Sequence, residues 1–85
     1  MTNSVLEEKI VSIIAREGAV ERERVTPEAT LESLGIKSMD IVMILVGIEE
    51  EFQLYIPADE SLSHIRDVRG LVGDIQRRLV EKEAR

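Results

Sequence analysis

The sequence predicts an all-α fold, a small antiparallel four-helix bundle of three longer helices and one short helix. Three stretches repeat their apolar residues at helical spacing, whereas no stretch alternates apolar and polar residues as a half-buried strand does. The chain has 85 residues, which is enough for a single domain, residues 1–85. Only 2% of the residues are aromatic, so the core is expected to be aliphatic. The helices are predicted at approximately residues 4–17, 38–52, 59–64 and 67–82, with a long loop at residues 18–37.

The first helix is predicted from a start signal, a periodic apolar face and a stop signal. Ser4 and Glu7 have the spacing of a capping box, in which two side chains bond free amides at the start of a helix. Gly18 is a typical residue for ending a helix. We therefore expect one face of this helix to enter the core. Its apolar positions are Leu6, Ile10, Ile13 and Ile14.

The connection at residues 18–37 is long for a domain of this size, and loops of such length are often functional. Thr26 and Pro27 have the pattern of an N-cap followed by a first-turn proline, which would begin a short helix. Leu31 and Leu34 are expected to reach the core, and Gly35 is expected to end any turn there. The loop is therefore predicted to be partly anchored in the core.

The second helix is predicted to begin at Ser38, which stands where an N-cap is needed. Asp40 falls in the first turn, where an acid interacts well with the helix dipole. Apolar residues surround much of the girth of this helix, which is more than one core face needs. The helix is therefore either the central one of the bundle or the carrier of a docking surface on its outer side. The apolar residues are Ile41, Val42, Met43, Ile44, Leu45, Val46 and Ile48.

The remaining third of the chain contains a break and two further helical stretches. Ile56-Pro57 ends the preceding pattern, because proline disfavours helix in the residue before it. Residues 59–64 are predicted to form a single short helical turn. Asp67 is the expected N-cap of the last helix. Gly70 and Gly73 weaken that helix, so we expect another element to approach it closely at these positions.

The composition excludes several classes of function. The chain has no cysteine and one histidine, which excludes disulfides, thiolate metal sites, a cysteine nucleophile and zinc-finger-like sites. The formal charge of −6 is a poor match for nucleic acid and for anionic membrane surfaces, whose partners are rich in Lys and Arg. Basic protein partners suit it better. Residues 28–66 hold eight acids and two bases, so the acidic excess lies in the middle of the chain.

The sequence also lacks the pattern of a leader or a membrane-spanning segment. Its start has no basic region followed by a long apolar stretch. The longest apolar run, residues 41–48, is far shorter than the roughly 20 residues that span a bilayer. A cytoplasmic setting is therefore the expectation, and the chain is expected to be a monomer.

Ser38 stands out by position, because it follows the long loop and opens the most apolar helix. A phosphate ester on its hydroxyl would meet the positive end of the helix dipole. An ordinary helix cap explains the same serine, and physical arguments alone favour that interpretation. Catalytic constellations are absent, since His64 stands alone in a polar segment and no Gly-x-Ser-x-Gly occurs. The acids Glu49–Glu51 point in directions about 100° apart, which suits a solvated or partner-facing cluster better than a metal site.

The stretch Leu34-Gly35-Ile36-Lys37-Ser38-Met39-Asp40, followed by Ile48-Glu49-Glu50-Glu51-Phe52 and Ile56-Pro57, resembles the acyl carrier protein family. The family pattern is Leu-Gly-x-Asp-Ser-Leu, then an apolar helix ending in acids and Phe, then Ile-Pro. The resemblance covers nearly the whole chain. It implies that Ser38 carries 4′-phosphopantetheine, which a separate phosphopantetheinyl transferase takes from coenzyme A with Mg²⁺. The arm would hold an acyl, polyketide or aminoacyl group as a thioester, and the chain itself would not be an enzyme.

The resemblance also implies roles for the residues around Ser38. Asp40 would orient the transferase or its metal-bound coenzyme A, and loading ligases or synthases would be further partners. The expected partner-binding residues are Lys37, Met39, Asp40, Met43, Ile44 and Glu49. The expected pocket for an acyl chain is formed by Val42, Leu45, Val46, Ile56, Ile65, Leu71 and Val72.

Three residues depart from the family pattern. Lys37 stands where the family usually has Asp, Met43 stands where an acid is common, and Met39 replaces Leu. Enzymes of fatty-acid synthesis usually present Arg and Lys to those acids, so Lys37 would repel them, while Met43 offers adaptable apolar contact. This predicts a specialised carrier that serves a dedicated ligase or synthase. An aminoacyl or peptidyl carrier and an interaction module without prosthetic group remain as alternatives.

Overall fold

The computed structural model describes residues 3–56 and 67–83. These residues form the helices α1 (Asn3–Gly18), α2 (Ser38–Phe52) and α3 (Val68–Glu83), and a 3-10 turn at Arg22–Arg24. The all-α fold class is confirmed, and α2 has the predicted bounds. The short helix predicted at residues 59–64 lies outside the described residues. Ser4 lies inside α1, so the prediction that it is the N-cap is wrong. No described helix has the length and apolarity that crossing a membrane requires.

The core lies where α1 packs against both α2 and α3. Its buried side chains are aliphatic except for Phe52, as the low aromatic content predicted. Each large aliphatic side chain that is fully removed from water contributes about 1.5–3 kcal/mol to stability. The buried residues are Leu6, Ile10, Ile13, Ile14, Val25, Leu34, Ile36, Ile44, Leu45, Ile48, Phe52, Ile56, Val68, Leu71, Val72 and Ile75.

α1 and α2 approach closely at Gly47, where an added Cβ would lie 3.0 Å from Cγ2 of the buried Ile13. The sequence predicts close approach at Gly70 and Gly73, but among the described residues no other element comes within 4 Å of a Cβ placed on either glycine. A Cβ on Gly73 would meet no described atom within 4 Å. At Gly70 the described atom that it would meet is Oδ1 of Asp67, the predicted N-cap of α3, which accepts a hydrogen bond from the Gly70 amide at 2.8 Å.

α1 ends at Gly18 as predicted, but the left-handed residue that reverses the chain is Ala19, with φ 55°. The amide of Val20 donates to the carbonyl of Ala15 at 3.1 Å, which satisfies one of the free carbonyls at the helix end. Gly18 is small for another reason. A Cβ there would lie 3.0 Å from Cδ1 of Ile36, so the loop packs directly on the end of α1.

A tight turn stands directly before α2. Thr30 and Ser33 each donate their backbone amide to the other's hydroxyl, at 3.0 and 2.9 Å. Gly35 then takes φ 73°, a conformation that glycine adopts without strain, and the amide of Ile36 donates back to the carbonyl of Leu31 at 3.1 Å. The prediction that Gly35 ends a turn here is confirmed.

The loop before this turn is attached to the start of α3. The amide of Val68 donates to the carbonyl of Ala29 at 2.9 Å, and the amide of Arg69 donates to the carbonyl of Pro27 at 3.0 Å. These are two of the amides that a helix start leaves without an intrahelical partner. No helix begins at Thr26-Pro27, contrary to the prediction, because the carbonyls of this stretch serve the N-terminus of α3.

Candidate functional site

Ser38 is the first residue of α2, and its side chain is exposed. The N-cap position belongs to Lys37, whose backbone is extended (φ −81°, ψ 161°), so the prediction that Ser38 is the N-cap is wrong by one position. The amide of Ile41 makes the first intrahelical bond, to the carbonyl of Lys37 at 3.0 Å. The amides of residues 38–40 precede that bond and point toward the exposed end of the helix. An anionic group on the Ser38 hydroxyl would therefore lie at the positive end of the helix dipole.

Buried side chains on both sides hold Ser38 in place. Leu34 and Ile36 enter the core just before it, and Leu34 confirms the sequence prediction. Leu31 is half-buried against the same core. After Ser38, the buried Ile44 and Leu45 fix the rotation of α2 about its own axis. The serine hydroxyl is thus an exposed group on a rigid, well-packed element.

The outer face of α2 beside Ser38 is apolar. Met39 is 81% exposed, Met43 is 49% exposed and Val42 is 43% exposed. Because successive helical residues are rotated by about 100°, these side chains and the half-buried Val46 project from one side of the helix. We call Met39, Val42, Met43 and Val46 the apolar stripe. The apolar girth of α2 therefore divides into a buried core face and an exposed face.

Five of the six residues expected at a partner surface have exposed or half-buried side chains, namely Lys37, Met39, Asp40, Met43 and Glu49. Ile44 is the exception, with only 1% of its surface exposed. Its Cδ1 lies 3.8 Å from the position of a Cβ on Gly18, so it points toward the end of α1. The assignment of Ile44 to the partner surface is therefore wrong, because neighbouring positions on a helix face different directions.

The residues expected to line an acyl-chain pocket do not all face the interior. Val46 is half-buried and Val42 is exposed, so Val42 belongs to the apolar stripe and its assignment to the pocket is wrong. Ile65 lies outside the described residues. The buried members of the predicted set are Leu45, Ile56, Leu71 and Val72.

Glu49 closes the chain reversal that follows α2. Its Oε2 accepts a hydrogen bond from the amide of Ile56 at 2.8 Å, and its backbone carbonyl accepts one from the amide of Leu54 at 3.1 Å. Ile56 is only 4% exposed, so this acid holds a core residue in place. No sequence pattern signals this bond, because its donor is a backbone amide beyond the end of the helix.

Lys82 of α3 binds the C-terminal end of α2. Its Nζ donates to the carbonyl of Gln53 at 2.8 Å and lies 3.4 Å from the carbonyl of Phe52. Gln53 is the left-handed residue that ends α2, with φ 53°. A cation at this position interacts favourably with the negative end of the helix dipole. Lys82 therefore joins α2 and α3 at the end of α2 opposite Ser38.

The three consecutive acids at the end of α2 face different surroundings. Glu51 forms an ion pair with Lys9 of α1, with 3.3 Å between Nζ and Oε2, whereas Glu49 bonds the amide of Ile56 and Glu50 is exposed. Within residues 3–56 and 67–83, no three acids or histidines are arranged to hold a metal ion.

The carboxyl of Asp74 has a perturbed pKa. Burial raises the pKa of this carboxyl, but hydrogen bonds and charges of Arg78 and Arg77 together outweigh that effect, so its pKa lies below the ordinary value. Nε of Arg78 donates to Oδ2 at 2.9 Å, and Arg77 donates to Oδ1. This cluster lies within α3 and stabilises that helix.

Comparison with known proteins finds a family model and relatives that match the part of the chain around Ser38. A family model described as a phosphopantetheine attachment site matches residues 8–75. An acyl carrier protein of Syntrophobacter fumaroxidans is 39% identical over 72 residues, which are 84% of this chain and 88% of that protein. An acyl carrier protein of Akkermansia muciniphila is 35% identical over 79 residues, which are 89% of this chain and 99% of that protein. Ser38 and the whole of α2 lie inside the matched region.

Proposed function

The chain belongs to the acyl carrier protein family and contains a phosphopantetheine attachment domain, and we propose that Ser38 is the residue that carries 4′-phosphopantetheine. One observation supports this choice above the others. Ser38 is an exposed serine at the first position of α2, the helix that packs against α1, and it lies inside the matched region. Once attached, the group supplies a thiol that holds a cargo as a thioester, a function that a chain without cysteine cannot perform.

The surroundings of Ser38 fit a phosphodiester. The linkage is an anion, and it would lie beside the free amides of residues 38–40 and the cationic side chain of Lys37. Anions at the start of a helix are typically stabilised by about 0.3–1 kcal/mol when they are exposed. The hydroxyl itself is exposed, so a transferase can reach it without unfolding the domain.

The other residues of the site have positioning and recognition roles. Asp40, half-buried in the first turn of α2, orients the phosphopantetheinyl transferase or its metal-bound coenzyme A. The apolar stripe gives partner enzymes an apolar contact beside the arm. None of these residues performs the chemistry on the cargo, so the chain acts as a non-catalytic carrier that delivers the cargo to partner biosynthetic enzymes.

The exposed Lys37 indicates a specialised member of the family. It lies next to the attachment site and repels an enzyme whose docking patch is basic, whereas the apolar stripe favours an enzyme with an apolar patch. A dedicated ligase or synthase that presents an acid opposite Lys37 is the partner that this surface fits. The cargo is an acyl or related intermediate of fatty-acid, polyketide or another specialised pathway, with an aminoacyl group as the alternative.

Intact mass spectrometry tests the assignment. Co-expression with a phosphopantetheinyl transferase of broad specificity is expected to add about 340 Da, the mass of one phosphopantetheinyl group. Ser38→Ala is expected to abolish this shift while remaining folded, because Ser38 is not the N-cap and alanine is the best helix former. Ser33→Ala removes another exposed serine hydroxyl, together with its bonds to Thr30 in the preceding turn, and should keep the shift.

Two outcomes would contradict the proposal. A mass shift that persists in Ser38→Ala places the group on another residue. An unmodified wild-type chain, beside a control carrier that the same transferase modifies fully, favours an interaction module that keeps the fold without the prosthetic group.

A further inference from the structure

Glu49 holds the chain segment that follows α2. We call residues 53–56 the return segment. Its last residue, Ile56, is 4% exposed and belongs to the core, although Tyr55 beside it is 80% exposed. The bond that brings Ile56 inward is the 2.8 Å hydrogen bond from its amide to the Glu49 carboxylate. A charge-assisted bond of this kind is about twice as strong as a neutral one.

This carboxylate is not fully enclosed. Glu49 is half-buried, so part of its side chain reaches solvent while its Oε2 accepts the Ile56 amide. The flanking acids do not share this arrangement, because Glu50 is exposed and Glu51 pairs with Lys9 at 3.3 Å. Among the acids at the end of α2, Glu49 is thus the one whose charge is available both to an outside cation and to a core segment.

Glu49 also lies in line with Ser38. The two residues are eleven positions apart on α2. At about 100° and 1.5 Å per residue, that separation is three turns plus about 20°, and a rise of about 16 Å along the axis. The apolar stripe flanks the line between them. An enzyme whose contact surface has an ordinary size and covers Ser38 and the apolar stripe therefore also reaches the Glu49 carboxylate.

From these contacts we propose that Glu49 is a docking-sensitive latch. A cationic side chain of a partner enzyme binds the exposed side of the carboxylate, competes with the Ile56 amide for it, and loosens the return segment where it enters the core. The inference rests on the proposed function for its partner, an enzyme seated at Ser38, but the latch itself is a property of the unmodified chain. Glu49 is thus a positioning residue that couples contact on the surface of α2 to the order of Ile56.

Amide hydrogen exchange, measured residue by residue by NMR on the unmodified chain, tests the latch. Glu49→Ala is expected to speed exchange at the Ile56 amide about tenfold or more, the effect of losing one charge-assisted bond, while Glu49→Gln is expected to be intermediate. Glu50→Ala, which removes the same charge at the adjacent exposed position, is the matched control and should leave Ile56 unchanged.

A second arm separates a latch from a purely structural bond. Hexa-arginine peptide, added at low salt as a cationic probe, is expected to speed Ile56 exchange several-fold in the wild type and in Glu50→Gln, but not in Glu49→Gln. Saturation of binding is followed from the amide shifts of Glu50 and Glu51. Unchanged Ile56 exchange at saturating peptide overturns the latch, as does equal acceleration in Glu49→Gln. Neither result affects the mass shift at Ser38, so the two proposals fail independently.

Discussion

Gly47→Ala tests the packing that sets the position of α2, the helix that presents Ser38. Gly47 lies in the interior of α2 against α1. The variant adds one methyl group at a close approach of the two helices and changes no charge or hydrogen bond. Its effect on the free energy of unfolding therefore reports how tightly α2 is packed.

Two opposing contributions set the magnitude. Alanine in a helix interior is more favourable than glycine by about 1 kcal/mol. Against this, the new methyl group would lie 3.0 Å from Cγ2 of Ile13, which is 3% exposed and has little room to move. Overpacking of a well-filled core costs about 1–3 kcal/mol. We expect Gly47→Ala to lower the free energy of unfolding by up to about 2 kcal/mol.

Gly73→Ala in α3 is the matched control, because a methyl group there meets no described atom within 4 Å. It is expected to raise the free energy of unfolding by about 1 kcal/mol through helix propensity alone. Urea titrations followed by far-UV circular dichroism give both values, provided that the free energy of unfolding falls with urea concentration at the same slope in the variants and the wild type. Equal stabilisation by the two variants would refute the close approach of α1 and α2.

Three further predictions concern helix ends, acid stability and partner choice. Gln53→Gly is expected to stabilise the fold by about 1 kcal/mol in the same titrations, because Gln53 has φ 53°, and an unchanged or lower stability would contradict this. The pKa of Asp74 is lower in the fold than in the unfolded chain, so its stabilising contribution is present above about pH 4 and is lost as pH falls through the folded pKa. Asp74→Asn should therefore destabilise the chain at neutral pH and converge with the wild type in acid, and a pH-independent difference would count against it. Lys37→Asp is expected to speed turnover with generic fatty-acid enzymes several-fold, an effect that shrinks with added salt, and wild-type rates equal to those of an ordinary carrier would refute specialisation.

Features that depend on nearby residues were predictable from the sequence. The bounds of α2 followed from the apolar run at residues 41–48, the Gly35 turn before it and Ile56-Pro57 after it. Asp67 was recognised as an N-cap because its bond reaches an amide only three residues away. Such signals need no knowledge of the rest of the fold.

Features that depend on distant residues were not predictable in the same way. A glycine in a helical sequence shows only that a side chain is missing. The neighbour that leaves no room for a side chain at Gly47 is Ile13, and this is evident only from the structure. The same holds for Glu49, whose bond to the Ile56 amide is made beyond the helix. Ile44 was misplaced because a helix that is apolar around most of its girth gives no periodic signal for its inward side.

The central claim is that Ser38 carries the arm, and site localisation by fragmentation mass spectrometry tests it most directly. Trypsin cleaves after Lys37 and Arg66 and releases residues 38–66, which contain Ser38, Ser61 and Ser63. After modification by a transferase, fragment ions of this peptide are predicted to place the added mass on Ser38 alone. Added mass on Ser61 or Ser63, or on a peptide outside residues 38–66, would contradict the claim.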